Sequence, residues 1–489
     1  MTSRTTQGAV AAGHELTARA GRFALEEGGN AVDAAIAAAW MACVAEPVLA
    51  SPGGGGFAMI AEKGDAPRVC DFFAQTPKRA ASLADFHAIE ADFGTTTQTF
   101  HIGLGSTATP GFVPGLFALH ARAGRLPMRD LLAPAAAIAR AGHKVNAFQA
   151  FLTRVIAPIL LHTDEARALF APSGALPEEG ESFANPALAR FLELLADGGL
   201  TAYENEAVPA MLEGQDAAGH LTPEDFSAYE VCWRAPLEAR IGSGRAWLNP
   251  PPAASGALIA LALELMNDDP ACPPCAWAGA LDGADCARRD CGHDLRALMA
   301  RLGPPAHRGT THISTLDEDG RACALTISNG EGNGHVVSGL GFMLNNMLGE
   351  ADVNPAGARG WPRDTRLSSM MAPTLARAAD GTLFALGSGG SNRIRSVIFL
   401  MLNRLLAQGM PLAAAIEAPR LHVEAGHLDF EPGFTPGEAR ALSAAFPDHR
   451  AWDEKSLFFG GCHAVRRAQD GTFSACGDAR RAGAAEIIA

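Results

Sequence analysis

Stretches in which apolar and polar residues alternate, and longer stretches that are apolar on nearly every face, predict a chain that mixes strands with helices. The clearest alternation lies in residues 310–328, where Cys323, Leu325 and Ile327 take every second position. A tight turn is predicted at residues 317–320, DEDG, because glycine accepts a positive φ and the acids bond the local backbone. Residues 310–328 are therefore predicted to form a β-hairpin with one buried face.

Two further segments show how helices and strands follow one another. Residues 31–44 are almost wholly apolar, which predicts a helix buried on most sides, and Asn30 with Asp33 supplies the start signal. Residues 383–386 predict a short buried strand that runs into the glycine-rich turn 387–391 and then into a helix. Backbone N–H groups and the positive end of a helix dipole converge at such a turn, as an oxyanion hole requires, although a plain strand-to-helix turn has the same pattern.

Composition and charge narrow the class of protein. The chain has 489 residues, 48% of them hydrophobic, and a formal net charge of −14. The apolar fraction is enough for a large core, and the negative charge argues against nucleic acid or an anionic membrane as the main partner. The N-terminal segment lacks the apolar run of a secretory signal, and no stretch approaches about 18 uninterrupted apolar residues. We therefore expect a cytoplasmic protein with reduced cysteines.

The head of the predicted hairpin carries the candidate chemistry. If the chain were cut between Gly309 and Thr310, Thr310 would hold a hydroxyl nucleophile and a free α-amine on one residue. An α-amine has a reference pKa of roughly 7.7–8.0, against about 10.4 for lysine, so it can take the hydroxyl proton near neutral pH without a distant base. The alternative is structural, because threonine at the start of a strand is common for its β-propensity alone.

Beyond this residue pair, the chain resembles a known family. The segment GTTHISTLDEDGRACALT, which begins at Gly309, resembles the start of the small subunit in the gamma-glutamyltranspeptidase family of N-terminal-nucleophile hydrolases. Other segments resemble family blocks in family order: 28–39, 45–57, 106–116, 368–375 and 387–394. The resemblance implies an α/β (α+β) fold, a four-layer αββα sandwich built from two autocleaved pieces of one chain, 1–309 and 310–489.

The same resemblance implies roles for individual residues. Thr310 is expected to cut the chain after Gly309 and then to attack an amide of a small-molecule substrate, and Ser328 is expected to hydrogen-bond it. The backbone N–H groups of Gly389 and Gly390 are expected to hold the oxyanion. Water or an acceptor amine then takes the acyl group, and the mechanism needs no metal or cofactor. The two cleaved pieces are expected to stay associated as subunits.

Neighbouring residues compete for the catalytic role. Thr311 carries the same hydroxyl as Thr310, and we choose Thr310 because the family uses the first residue of its TTH triplet. His307 and His312 are alternative bases. Since a free amine already supplies the base, His312 is interpreted as a strand residue.

The substrate-binding pattern departs from that of the family. Phe73 stands where the family places an arginine for the γ-glutamyl carboxylate, and only Glu350 remains of an acidic cluster that meets the ammonium. The family has an asparagine two positions after the hydroxyl residue that Ser328 matches. Here that position is Gly330, and Asn329 lies one position earlier. The predicted substrate-binding residues are Phe73, Asn329, Glu350, Ser368 and Ser369.

The substrate therefore has several interpretations. One is a gamma-glutamyl amide such as glutathione, and another is a different small amide such as oxamate, or the larger acyl group of an acylase. Arg366 or Arg393 is an alternative partner for a carboxylate. A competing hypothesis from another class is an unprocessed scaffold without catalysis.

The composition shifts between residues 267 and 309 toward proline, cysteine, glycine and charge. This segment lies just before the expected cut and is predicted to be exposed. Its cysteines and one histidine offer a zinc site as an alternative to reduced thiols, although their spacing does not match a pair of tight CxxC motifs. The residues concerned are Cys272, Cys275, Cys286, Cys291 and His293.

Overall fold

The computed structural model describes residues 5–82, 85–92, 97–266, 272–290, 309–350 and 360–489. Its strands, in chain order, are β1 Gly8–Ala12, β2 Gly55–Ala61, β3 Arg68–Phe72, β4 His87–Asp92, β5 Thr97–Ile102, β6 His143–Lys144, β7 Ser182–Phe183, β8 Cys232–Arg234, β9 Leu237–Ile241, β10 Gly244–Leu248, β11 Thr310–Asp317, β12 Ala322–Ser328, β13 Thr374–Arg377, β14 Leu383–Gly389, β15 Leu421–Glu424, β16 His427–Phe430, β17 His449–Ala451, β18 Gly461–Arg467, β19 Phe473–Cys476 and β20 Ala484–Ile488.

The α-helices accompany these strands along the whole described chain. In order they are α1 Glu15–Glu26, α2 Ala31–Ala45, α3 Phe112–Ala123, α4 Met128–Ala141, α5 Ala147–Val155, α6 Ala157–Leu160, α7 Asp164–Phe170, α8 Pro186–Ala202, α9 Val208–Met211, α10 Gln215–Ala218, α11 Pro223–Ser227, α12 Ser255–Leu265, α13 Pro274–Asp290, α14 Arg393–Leu402, α15 Leu412–Glu417 and α16 Pro436–Ala445.

Two antiparallel sheets pack face to face at the centre of the molecule. The first has strand order β20-β1-β11-β12-β2-β3-β8, and the second has order β19-β18-β14-β13-β10-β9. The apolar layer between them includes Phe57 and Ala324 from the first sheet and Ala385 and Val465 from the second. Helices α1, α2, α4 and α8 cover the outer face of the first sheet, and α12, α13 and α14 cover that of the second. The predicted αββα sandwich is confirmed.

The predicted hairpin forms the centre of the first sheet, but its burial differs from the prediction. Ile313 and Leu325 pack toward the helices, whereas Leu316 and Ala324 pack into the layer between the sheets. Every residue of β11 and β12 is buried. The expectation of one exposed face was wrong, because the small and hydroxyl side chains that alternate with the large apolar ones are covered by the second sheet.

Helix α2 is the predicted apolar helix, and all its residues are buried. Asn30 Oδ1 accepts from the backbone N–H groups of Val32 and Asp33 at 2.8 and 3.0 Å, and Asp33 Oδ2 accepts from the Asn30 N–H at 2.9 Å, which completes a capping box. Helix α2 therefore belongs to the core. Within the described ranges no helix is long and apolar enough to span a membrane.

The prediction of an exposed segment from 267 to 309 was wrong for residues 274–290, which form α13. Trp277, Leu281 and Ala284 are buried against the outer face of the second sheet. Their spacing of four and three residues is that of an amphipathic helix, which the proline- and cysteine-rich composition obscured. Asp285 is fully buried on this helix and pairs with Arg395 at 2.8 Å.

The zinc site that the cysteines offered as an alternative is tested only in part. Cys291 and His293 lie outside the described residues. Cys272 and Cys275 pack against the apolar residues on the outer face of the second sheet. No group of three donors able to hold a metal occurs among the residues that the structure describes.

Candidate active site

The head of the central hairpin lies at the seam between the two sheets. Thr310, the first residue of β11, is directly opposite Ser328, the last residue of β12, and each is about 6% exposed. Side chains alternate along a strand, so Thr310 faces the second sheet and Thr311 faces the helices. Thr311 Oγ donates to Glu46 Oε2 at 2.7 Å, on the far side from the seam. This alternation favours Thr310 over Thr311 as the residue of the site.

The peptide bond between Gly309 and Thr310 is held by the residues that follow β12. Ser328 Oγ donates to the Gly309 carbonyl oxygen, and the Gly330 N–H donates to Ser328 Oγ at 3.0 Å. The Gly309 N–H donates to Glu331 Oε1 at 3.0 Å. A Cβ on Gly309 would lie 2.4 Å from the Gly330 carbonyl oxygen, so the position accepts only glycine.

The glycine turn after β14 packs directly against the start of β11. A Cβ on Gly389 would lie 2.1 Å from the carbonyl oxygen of Thr310, and Gly390 has a φ of +124°, which favours glycine. Helix α14 begins at Arg393, three residues beyond the turn. The glycine turn that was predicted to hold the oxyanion therefore lies next to Thr310, and its backbone at Gly389 makes the contact.

A small cavity of about 30 Å³ opens beside Thr310. Half of its lining residues were predicted from the sequence: Phe73, Thr310, Ser328, Glu350 and Ser369. The others were not: Met347, Met370, Met371, Ser391 and Ile394. Methionine and isoleucine make this wall apolar and adaptable.

Two predicted substrate-binding residues lie elsewhere. Asn329 lines a separate cavity, and Ser368 Oγ donates to the Pro252 carbonyl oxygen at 2.9 Å. Side chains alternate in direction in this extended segment, so that Ser369 faces the cavity while Ser368 faces away.

The two candidate arginines are engaged outside the cavity. Arg366 donates to the Phe73 carbonyl oxygen and lies over the Tyr229 ring, 4.5 Å from its centroid. Arg393 Nε donates to the Phe458 carbonyl oxygen at 3.1 Å. Neither lines the cavity, and among the described residues that do line it Glu350 is the only charged one.

His312 has a structural position, as expected for a strand residue. Its Nδ1 and Nε2 each lie 2.8 Å from a hydroxyl, those of Thr326 and Ser314 respectively. Complete burial, and secondarily the proximity of His463, lowers the pKa of His312 well below its usual value, so that the ring stays neutral. The second candidate base, His307, lies outside the described residues.

Two charged residues of the site were missed in the sequence. Glu331 stands three positions after Ser328 in a glycine-rich stretch. An acid so close to the Ser328 hydroxyl was the signal that could have revealed it. Arg481 comes from the C-terminal tail, and its Nη1 would be 3.2 Å from a Cβ on Gly389. Burial, and then the charge of Arg393, lowers the pKa of Arg481 to about 9. Only the tertiary fold brings Arg481 to the glycine turn.

An αββα sandwich with a threonine at the head of a central strand, facing a glycine turn, defines the class of N-terminal-nucleophile hydrolases. The chain belongs to the gamma-glutamyltranspeptidase family, because the family model described as Gamma-glutamyltranspeptidase matches residues 17–271 and 287–488. The resemblance inferred from the sequence is confirmed, and the chain is an enzyme of this family.

Relatives within the family carry different names. A glutathione hydrolase proenzyme of Escherichia coli (strain K12) is 26% identical over 502 residues, covering 90% of this chain and 85% of that protein. The Acylase ACY 1 proenzyme of Pseudomonas sp. (strain V22) is 26% identical over 513 residues, covering 96% and 91%. The crystal structure of cephalosporin acylase from Bacillus halodurans shares the fold, with a TM-score of 0.81 and 22% identity over 99% of this chain and 96% of that one.

Replacing Gly389 tests the close approach of the glycine turn. Gly389→Ala is expected to slow cleavage before Thr310 at least about 100-fold, because the added methyl displaces the Thr310 carbonyl by about an ångström. Gly437→Ala in α16 is the matched control, since a Cβ there meets no atom within 4 Å. Intact mass after timed incubation measures cleavage, and a Gly389→Ala protein that cleaves at the wild-type rate would contradict the role of this contact.

Glu46 predicts a pH dependence of stability. Burial raises the pKa of Glu46 to about 7, although Thr17 and Thr311 donate to it at 2.7 Å. Its stabilising contribution is present below about pH 4.5 and is lost as the pH rises through 7, because the folded state then holds a buried charge. Glu46→Gln is therefore expected to gain stability relative to the wild type between pH 5 and 8, by about 3 kcal/mol at most.

Thermal melting at pH 5 and pH 8 measures this gain. Glu15→Gln, an exposed position at the start of α1, is the control and is expected to melt with the wild type at both pH values. A difference between Glu46→Gln and wild type that is the same at both pH values would show that Glu46 does not titrate in this range.

Proposed function

We propose that this chain cuts itself between Gly309 and Thr310 and then hydrolyses amides through Thr310 as an N-terminal nucleophile. The support is the arrangement of Ser328 on the Gly309 carbonyl and of the Gly389 turn on the other side of Thr310. Before cleavage the Thr310 nitrogen is an amide, and after cleavage it is a free amine beside its own hydroxyl. The new amine then serves as the base for the second reaction.

In the mature enzyme Thr310 Oγ attacks the carbonyl carbon of a substrate amide and passes its proton to the α-amine. Backbone N–H groups at Gly389 and Gly390 stabilise the oxyanion, and each such donor contributes about 3–4 kcal/mol to the transition state in enzymes of this kind. The buried guanidinium of Arg481 next to this turn adds a positive field. The leaving amine takes the proton, and water or an acceptor amine releases the acyl group.

The lining of the cavity beside Thr310 favours a substrate whose acyl group lacks a carboxylate. Among the described lining residues the charged group is the Glu350 carboxylate. By resemblance, Phe73, which also lines the cavity, stands where the family places an arginine. A substrate carboxylate buried there without a cationic partner would cost several kcal/mol. The chemistry of the methionine-lined wall suits an apolar acyl chain, and the Glu350 carboxylate suits a substrate ammonium.

A gamma-glutamyl amide is the second candidate. Relatives named glutathione hydrolases support it, and Glu350 is placed to meet the ammonium of such a group. The two candidates differ in one chemical group, the α-carboxylate of the acyl chain, and this difference sets the experiment.

Three p-nitroanilides isolate that group. The γ-glutamyl anilide carries an ammonium and a carboxylate, the 4-aminobutyryl anilide carries only the ammonium, and the glutaryl anilide carries only the carboxylate. We expect kcat/KM to fall in the order 4-aminobutyryl, γ-glutamyl, glutaryl, with about tenfold or more per step, because each tenfold step corresponds to about 1.4 kcal/mol. Faster turnover of the γ-glutamyl than of the 4-aminobutyryl anilide would make the second candidate correct.

Phe73→Arg extends the same comparison. The new guanidinium is expected to raise kcat/KM for the γ-glutamyl and glutaryl anilides and to leave the 4-aminobutyryl anilide without gain. Phe73→Leu controls for the loss of the ring that stacks on Phe57 at 5.4 Å. Equal changes for all three anilides would contradict the carboxylate argument.

A further inference from the structure

We propose that Glu331 is the general base of the second step of self-cleavage, in which water hydrolyses the ester between Gly309 and Thr310. The inference rests on the self-cleavage proposed above. It assigns a catalytic residue and a water site in a cavity separate from the one beside Thr310.

Glu331 contacts the scissile residue directly. Its Oε1 accepts from the Gly309 N–H at 3.0 Å, one residue from the bond that breaks, and the residue is about 4% exposed. Its own N–H donates to Asn346 Oδ1 at 3.0 Å, which fixes the backbone that carries the carboxylate. A carboxylate held in this position is within reach of a water that approaches the Gly309 carbonyl carbon.

A second cavity lies against Glu331, and its size fits one water. Its volume is about 20 Å³, and a single water needs roughly 10–15 Å³. Glu331 and Asn329 both line it. Asn329 is about 2% exposed, and its Oδ1 has no hydrogen-bond donor within the described part of the chain. A water in this cavity would donate one hydrogen to Asn329 Oδ1 and the other to Glu331.

The chemistry of the ester explains why a carboxylate is needed. In the first step Thr310 Oγ bonds to the Gly309 carbonyl carbon, the carbon–nitrogen bond breaks, and the Oγ proton moves to the Thr310 nitrogen. The new amine has a reference pKa of roughly 7.7–8.0, so at pH 7 only a minority of molecules hold it neutral and able to accept a proton from water. His312 is neutral but bonded to two hydroxyls away from Gly309.

Glu331 supplies the missing base in the second step. The water oxygen bonds to the Gly309 carbonyl carbon while one water proton moves to the Glu331 carboxylate. The ester carbon–oxygen bond then breaks, and Thr310 Oγ takes the proton back from Glu331. The products are a carboxyl group on Gly309 and Thr310 with a free hydroxyl and amine, and Glu331 is regenerated.

Glu331→Gln with and without hydroxylamine tests the proposal. Glutamine keeps the acceptor for the Gly309 N–H but is not a base, so cleavage in plain buffer is expected to slow about 100-fold or more. The ester then accumulates, and hydroxylamine, which attacks esters without a base, is expected to split the chain and leave a hydroxamate on Gly309. Intact mass and the mass of the C-terminal peptide of the large piece report both results.

Ser328→Ala is the contrasting variant. It removes the hydroxyl that polarises the Gly309 carbonyl, so the ester should form slowly and hydroxylamine should not restore cleavage. Cleavage of Glu331→Gln at the wild-type rate, or a folded Glu331→Gln protein that hydroxylamine leaves whole, would overturn the proposal. A wild-type chain that never splits would instead contradict the proposed function itself.

Glu331→Asp keeps the test decisive if thermal melting shows that Glu331→Gln is unfolded. Aspartate retains a carboxylate that is one methylene further from the bond. We expect slow cleavage in buffer and faster cleavage with hydroxylamine. Cleavage of Glu331→Asp that hydroxylamine does not accelerate would overturn the role as base.

Discussion

The pairing of Thr310 with Ser328, at the open end of the central hairpin, is the contact on which the site depends. It brings the Ser328 hydroxyl to the Gly309 carbonyl and turns the Thr310 side chain toward the second sheet. A slip of one residue would move Thr311 to that face and Thr310 to the helices. The buried hydrogen bond from Thr311 to Glu46 opposes such a slip, because the slip would leave the Glu46 carboxyl group without one of its two hydroxyl donors.

The close approach of the two sheets is the second constraint. At Gly389, and beneath His312 at Gly387, a Cβ would overlap the first sheet. The site is therefore built mainly from backbone and hydroxyl groups, and its charged neighbours are Glu331, Glu350 and Arg481. Glu331 contributes a carboxylate that accepts from the Gly309 N–H, and Glu350 contributes one that lines the cavity beside Thr310. In our proposal the first carboxylate acts in self-cleavage and the second in substrate binding.

Local patterns in the sequence predicted the parts of the fold that depend on neighbours along the chain. The hairpin at 310–328, the capped helix α2 and the strand–glycine–helix unit of β14 and α14 all carry such patterns. Helix α13 was missed because its buried stripe is spread through a segment of proline, cysteine and charge. The buried second face of the hairpin could not be predicted, since it depends on a sheet formed by distant strands.

The candidate site could likewise be predicted where local sequence motifs mark it, but not where it depends on the tertiary fold. Family motifs placed Thr310, Ser328 and the glycine turn, and the structure brings these groups together. The sequence did not reveal which way the side chains of Asn329 and Ser368 point, so both were predicted for a cavity that they do not line. Arg481 reaches the glycine turn only through the tertiary fold, so no local pattern near Gly389 could have revealed it.

The intact mass of the purified wild-type chain, incubated near pH 7.5 beside Thr310→Ala, tests the central claim most directly. We predict that the wild type separates into residues 1–309 and 310–489, with threonine as the new N-terminus, and that Thr310→Ala remains a single chain of 489 residues. A folded wild type that stays whole, or a Thr310→Ala protein that splits at the same bond, would contradict the account.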